Sequence, residues 1–129
     1  MDSKLSNGPL KPADGHNASP PVEVETVISA YQNGNFKQAA ETATQYNQES
    51  PDNEIVLSIL ANSQHQLGLL DASISTMERI NILFPANYKN HNNLGLAYQR
   101  IGKSEKAIES ISTALQLNPE YGDAFYNLA

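Results

Sequence analysis

The 129-residue sequence contains no cysteine, which excludes a disulfide framework, a thiol nucleophile and a cysteine-ligated zinc site. It also lacks an apolar run near the roughly 20 residues that a membrane-spanning helix needs, so we predict no membrane partner. The first residues contain no hydrophobic signal-peptide core, and we therefore expect a cytoplasmic protein. Basic residues are few, since 8 Lys and Arg stand against 14 Asp and Glu and give a net charge of −6. A nucleic-acid partner is not expected, because binding one requires a basic face.

The N-terminal segment differs in composition from the rest of the chain. Two glycines and four prolines fall between residues 6 and 21, with little apolar mass among them. Such a stretch cannot bury enough surface to offset the entropy lost on ordering. We therefore predict a disordered leader over residues 1–19.

From Pro20 onward the sequence repeats with a period of 34 residues. Three independent columns of small or turn-forming residues share this period. The columns are Gly34, Gly68 and Gly102; Ala39, Ser73 and Ala107; and Pro51, Pro85 and Pro119. A fixed period in this range indicates a repeat architecture.

Each unit shows the pattern of two helices. In the best-preserved unit, the first helix is predicted to start near Tyr88 and to carry an apolar stripe at i, i+3, i+4 and i+7. The stripe consists of Leu94, Ala97, Tyr98 and Ile101. Gly102 is expected to end this helix, since glycine readily takes the left-handed conformation, and Ser104 to cap the next one. No alternating strand pattern competes, so we predict an all-α chain.

At these positions the sequence resembles the tetratricopeptide repeat family, whose pattern runs W-x₂-L-G-x₂-Y, A-x₃-F and P. The third unit supplies His91-x₂-Leu94-Gly95-x₂-Tyr98, then Ala107-x₃-Ile111, then Pro119. The resemblance implies helix–turn–helix repeats stacked into an α-solenoid with a right-handed superhelix. Small residues at Gly95 and Ala107 would let the two helices of a hairpin approach closely.

The register divides the chain into repeats. We predict a degenerate first repeat over residues 20–53, a second over 54–87 and a third over 88–121. Residues 122–129 match only the opening of a fourth repeat and include no polar capping element, which an open stack normally needs. A fragment of a longer protein is therefore expected.

The eight residues A-Y-Q-R-I-G-K-S, Ala97 to Ser104, also match a relaxed phosphate-binding loop and raise the alternative of a nucleotide hydrolase. A true loop of this kind follows a buried strand, whereas a helix is predicted here. The equivalent turns at Gly34 and Gly68 carry no Lys-Ser pair. We therefore interpret the stretch as a repeat turn and predict no catalytic site and no cofactor in this chain.

A metal or acid–base centre is not indicated either. The three histidines, His16, His65 and His91, fall in the leader and in two different repeats, without an i, i+4 partner. No Ser-His-Asp or paired-carboxylate arrangement occurs, so surface or packing roles are favoured for these side chains.

Asn93 and Asn127 recur 34 residues apart on the first helices of successive repeats. In the family the first helices line a concave groove, and the pair resembles the asparagine ladder that grips peptide backbone in the repeat arm of O-linked N-acetylglucosamine transferases. Peptide binding and plain surface polarity remain alternatives for this pair. The candidate groove residues are Asn62, His65, Gln66, Asn92, Asn93, Gln99, Arg100 and Asn127.

Two functions follow from the resemblance. The first is a non-catalytic scaffold that binds a peptide or protein segment in its concave groove. The alternative is an N-terminal arm that presents substrate to a glycosyltransferase or sulfotransferase domain located after Ala129. Self-association through Phe125, Tyr126 and Leu128 is a further expectation.

Overall fold

The computed structural model describes residues 21–121, and these form six α-helices without a strand. The helices are α1 (Val24–Gln32), α2 (Phe36–Glu49), α3 (Glu54–Gln66), α4 (Leu70–Leu83), α5 (Tyr88–Arg100) and α6 (Ser104–Leu117). This confirms the all-α prediction. The leader and the residues after Tyr121 lie outside the described range. Within that range, no helix is long and apolar enough to cross a membrane.

A glycine turn joins the two helices of each pair. Gly102 has φ of +80°, and its N–H donates to the Gln99 carbonyl at 3.1 Å. The N–H of Lys103 reaches back to the Tyr98 carbonyl at 2.9 Å, which completes a Schellman motif at the end of α5. Gly34 and Gly68 repeat this conformation with φ of +76° and +80°. The period of 34 in the sequence is therefore the recurrence of one backbone turn.

The expectation that Ser104 caps α6 is wrong, because the N-cap is Lys103 and Ser104 is the first helical residue. Lys103 closes α5 with its N–H and opens α6 with its carbonyl, which accepts from Ala107 N–H at 3.0 Å. One residue thus serves both helix ends. The turn between α5 and α6 is therefore one residue shorter than it would be with Ser104 as the cap.

The connections between successive pairs use asparagine caps. Asn53 Oδ1 accepts from the Val56 N–H at 3.1 Å, and Asn87 Oδ1 accepts from the Lys89 N–H at 3.1 Å. Each side chain satisfies a backbone donor that the start of a helix leaves unpaired. These caps start α3 and α5, the two helices that carry most of the candidate groove residues.

Buried side chains from neighbouring helix pairs pack together in the core. Leu94, Ala97 and Tyr98 of the predicted stripe are buried, and Ile101 packs partly buried against them. Residues of α3 and α4, including Leu57 and Met77, belong to the same cluster. Burial is thus shared between neighbouring repeats, as expected of a stacked solenoid.

The close helix approach at Gly95 is confirmed. A Cβ placed on Gly95 would lie 2.5 Å from Ile111 Cγ1 and 3.1 Å from the Ala107 carbonyl oxygen. In the preceding repeat, Ala61 stands at the equivalent place, and Ser73 Oγ donates to its carbonyl at 2.8 Å. The small residues therefore permit contact in one repeat and a buried hydrogen bond in the other.

Candidate functional site

The first helices of the three pairs together form an open cleft of about 340 Å³, here named the first-helix cleft. Its walls come from α1, α3 and α5, with one side chain from α4. The lining residues are Tyr31, Asn62, His65, Gln66, Met77, Asn93, Leu96 and Arg100. Amides, apolar groups and one permanent cation therefore share a single surface.

A smaller pocket of about 20 Å³ adjoins the first-helix cleft. Such a volume is roughly that needed for one water molecule. Asn62, Met77 and Asn93 line both spaces, while Ser58 and Asn90 line only the pocket. The side chains of Asn62 and Asn93 thus stand where the two spaces meet.

Five of the eight candidate residues lie in the first-helix cleft. They are Asn62, His65, Gln66, Asn93 and Arg100. Gln99 is exposed on α5 but does not line the cleft. Asn127 lies outside the described residues. The described part of the cleft therefore carries the amides of Asn62 and Gln66 from α3 and that of Asn93 from α5. The pairing of Asn93 with Asn127 stays a prediction.

The assignment of Asn92 to the groove is wrong. Its side chain is 3% exposed, and its amide donates to Tyr121 Oη at 3.5 Å. The Tyr121 ring in turn packs edge-on against Tyr88, with ring centroids 4.8 Å apart. Neighbouring residues on a helix point about 100° apart, so Asn92 faces the protein where Asn93 faces the cleft.

Three of the described cleft residues were not predicted from the sequence, namely Tyr31, Met77 and Leu96. A usable signal existed for two of them. Tyr31 lies one period before His65, and Leu96 lies one period after Asn62. The residues 34 positions before and after each polar candidate therefore include both, although neither carries an amide or a charge.

A half-buried hydrogen-bond bridge joins α3 to α5 near the cleft. Glu54 Oε2 accepts from Asn87 Nδ2 at 2.8 Å and from Asn90 Nδ2 at 3.0 Å. Glu54 begins α3, whereas the two asparagines lie at the start of α5. The bridge therefore holds in place the two helices that carry Asn62 and Asn93.

Tyr98 belongs to a separate cleft of about 370 Å³ between α4 and α6, whose floor is α5. Its hydroxyl donates to Glu78 Oε2 at 2.5 Å, and the Lys106 ammonium lies 5.6 Å from its ring centroid. Burial, followed by the hydrogen bond to Glu78 and the charges of Glu78 and Glu109, raises the pKa of Tyr98 to about 12. A phenol held neutral in this way joins α5 to the preceding repeat and is unsuited to act as a base near neutral pH.

The geometry of Gly102, Lys103 and Ser104 rejects the phosphate-loop interpretation. These residues follow α5 rather than a strand. The amides of Gly102 and Lys103, which would have to cradle a phosphate, already donate to the last carbonyls of α5. Within residues 21–121, no group of three His, Asp or Glu side chains is placed to hold a metal ion.

Comparison with known proteins agrees with this architecture. Two models of the tetratricopeptide repeat match the chain, one over residues 25–88 and the other over residues 88–121. The chain therefore belongs to the tetratricopeptide repeat family. Repeats of this family mediate protein–protein interactions.

One curated relative, the CTR9 homolog of Arabidopsis thaliana, is 33% identical over 69 residues, or 54% of this chain. The match spans only 6% of that protein. Among solved structures, MamA superposes with a TM-score of 0.76 at 21% identity, covering 83% of this chain and 65% of its own. This likeness shows the fold alone.

Two further solved structures share this fold. The O-GlcNAc transferase of Thermobaculum terrenum matches with a TM-score of 0.71 and 26% identity, over 81% of this chain and 20% of that one. The first repeat domain of Spaghetti (RPAP3), bound to an HSP90 peptide, matches with a TM-score of 0.75 and 20% identity, over 81% of this chain and 82% of its own.

Proposed function

We propose that the first-helix cleft binds an extended segment of a partner protein, with Asn62 and Asn93 pairing with its backbone. The observation that carries this proposal is that these two amides, on successive first helices, line both the cleft and its adjoining pocket. The family's general role in protein–protein interaction supports it.

The chemistry of the two amides suits a peptide backbone. A carboxamide offers both a donor and an acceptor, which matches the N–H and C=O of a peptide unit without regard to side-chain identity. Tyr31, Met77 and Leu96 add apolar surface beside the amides, where partner side chains can pack. Backbone pairing supplies general affinity, and the neighbouring surface supplies preference among sequences.

Preorganisation favours binding at this place. The bridge from Glu54 to Asn87 and Asn90 fixes α3 against α5 before a ligand arrives. The free-energy cost of ordering the protein on binding is therefore smaller than it would be for a mobile surface.

A displayed library of random dodecapeptides, panned against the full chain, tests the proposal. Selected peptides should bind an Asn62→Ala/Asn93→Ala double variant about 30-fold more weakly, since each lost hydrogen bond is worth about 1 kcal/mol. Gln48→Ala/Gln116→Ala is the matched control, because both glutamines are exposed on second helices. Equal loss in both double variants, or no peptide whose binding depends on the cleft, contradicts the proposal.

A second candidate function is a substrate-presenting arm of a larger glycosyltransferase or sulfotransferase. The likeness to the Thermobaculum terrenum O-GlcNAc transferase, at 26% identity over 81% of this chain, supports it. In that case the first-helix cleft would guide an acceptor segment toward a catalytic domain. Reading the coding sequence beyond codon 129 decides between the two: a transferase domain there supports the arm, and an immediate stop codon rules it out.

A further inference from the structure

The first-helix cleft differs in charge from the rest of the molecule. The chain carries 14 acidic residues against 8 basic ones, yet none of the eight described residues that line the cleft is acidic. Arg100 contributes a permanent positive charge, and His65 and Gln66 line the cleft from α3. The lining therefore favours a ligand group of negative charge.

Arg100 is available to bind such a group. It lies exposed in the last turn of α5 and makes no ion pair within the described part of the chain. Arg79, in contrast, holds Asp52 through two hydrogen bonds of 3.1 Å from its Nη2. A guanidinium presents several donors in a plane that matches a carboxylate, which a neutral amide cannot do.

Resting on the proposed function, we infer that the bound segment carries an aspartate or glutamate whose carboxylate pairs with Arg100. Asn93 and Arg100 are seven residues apart on α5, which is about 10 Å along the helix axis. The carboxylate therefore lies about 10 Å along α5 from the peptide unit held by Asn93.

A side chain, rather than a chain terminus, is the source of the carboxylate. Asn62 and Asn93 are proposed to pair with internal peptide units of the segment, so the carboxylate left for Arg100, the one permanently charged residue of the described lining, is that of a side chain. Synthetic versions of one selected peptide, with a free or an amidated C-terminus, separate the two sources. Amidation should leave the affinity unchanged, whereas Glu→Gln within the peptide should lower it about fivefold at low salt and less at high salt.

The same dodecapeptide library gives the decisive comparison. Peptides selected on the wild-type chain should share an Asp or Glu at one position, and those selected on Arg100→Glu should carry Lys or Arg there. Lys37→Glu is the matched control, since Lys37 is exposed on α2, does not line the cleft, and its replacement changes the net charge equally. The control should select the same acidic peptides as the wild type, and all three proteins should melt alike.

The possible results distinguish a failure of this inference from a failure of the proposed function. Peptides that depend on Asn62 and Asn93 but show no acidic preference overturn the inference and leave the proposed function standing. A preference confined to free C-termini also overturns it. If no selected peptide depends on the two asparagines, the proposed function fails and the inference fails with it.

Discussion

Within residues 21–121, two serines are buried between helices, and one of the two has a hydrogen-bond partner there. Ser73 Oγ donates to the Ala61 carbonyl at 2.8 Å, whereas Ser63 Oγ is buried without a partner. Both residues are 0% exposed. A buried hydroxyl stabilises the fold when it is bonded and costs free energy when it is not. The same chemical group therefore has opposite effects at the two positions.

Replacing each serine by alanine tests this account. Ser63→Ala should raise the free energy of unfolding by about 1 kcal/mol, because an unsatisfied group is removed. Ser73→Ala should lower it by about 1 kcal/mol, because a buried hydrogen bond is lost. Urea denaturation measures both, and each variant serves as the control for the other. Changes of the same sign would show that the bonding state of the hydroxyl does not govern the effect.

Ionisation of Tyr98 makes the free energy of unfolding depend on pH in the alkaline range. Its pKa is raised from 10.0 to about 12, first by burial and then by Glu78 and Glu109, so the native state keeps a proton that the unfolded state loses in this range. The stabilisation is complete below pH 10 and is lost as the pH rises toward 12. The total is on the order of 3 kcal/mol, at 1.36 kcal/mol per pKa unit.

Comparison with Tyr98→Phe isolates this contribution from other groups that titrate in the same range. The wild type should be the more stable protein below pH 10, and its advantage should shrink steadily as the pH approaches 12. Denaturant unfolding at a series of pH values measures the difference. A constant difference across the range would contradict the raised pKa.

At the scale of elements, the contact between α5 and α6 depends on the missing side chain of Gly95. Gly95→Ala should lower stability by about 1–3 kcal/mol, because the new methyl group lies too near Ile111 Cγ1 and the Ala107 carbonyl. Helix propensity alone predicts the opposite sign, since alanine is favoured over glycine by about 1 kcal/mol. Thermal and urea unfolding therefore decide between packing and propensity, and increased stability would refute the close approach.

The sequence predicted the helices well because their ends depend on local chemistry. A left-handed turn favours glycine, so Gly34, Gly68 and Gly102 mark it directly. The cap at Ser104 was mispredicted because residue types alone do not give the length of the turn between α5 and α6. The Schellman motif at the end of α5 determines that length. The hydrogen bond from Ser73 was also unforeseen, since a small residue there satisfies the pattern whether it is apolar or polar.

At the scale of the whole molecule, the angular positions of residues around each first helix predicted only some of the groove residues. Asn62 and Asn93 were predicted because they lie on the face of a first helix that points into the groove. Asn92 failed because Tyr121, from the turn after α6, covers it. Tyr31 and Leu96 were missed because an apolar residue in a groove has the same sequence signature as one in a core. A surface built from three helices depends on their relative placement, which the repeat period does not specify.

The most direct test follows the side-chain amides of the full chain by ¹H–¹⁵N NMR while a library-selected peptide is added. The signals of Asn62 and Asn93 should shift together and saturate at one peptide per chain, while those of Gln48 and Gln116 stay in place. Shifts at the two glutamines, or at Asn81 in the cleft between α4 and α6, with Asn62 and Asn93 unchanged, would contradict peptide binding in the first-helix cleft.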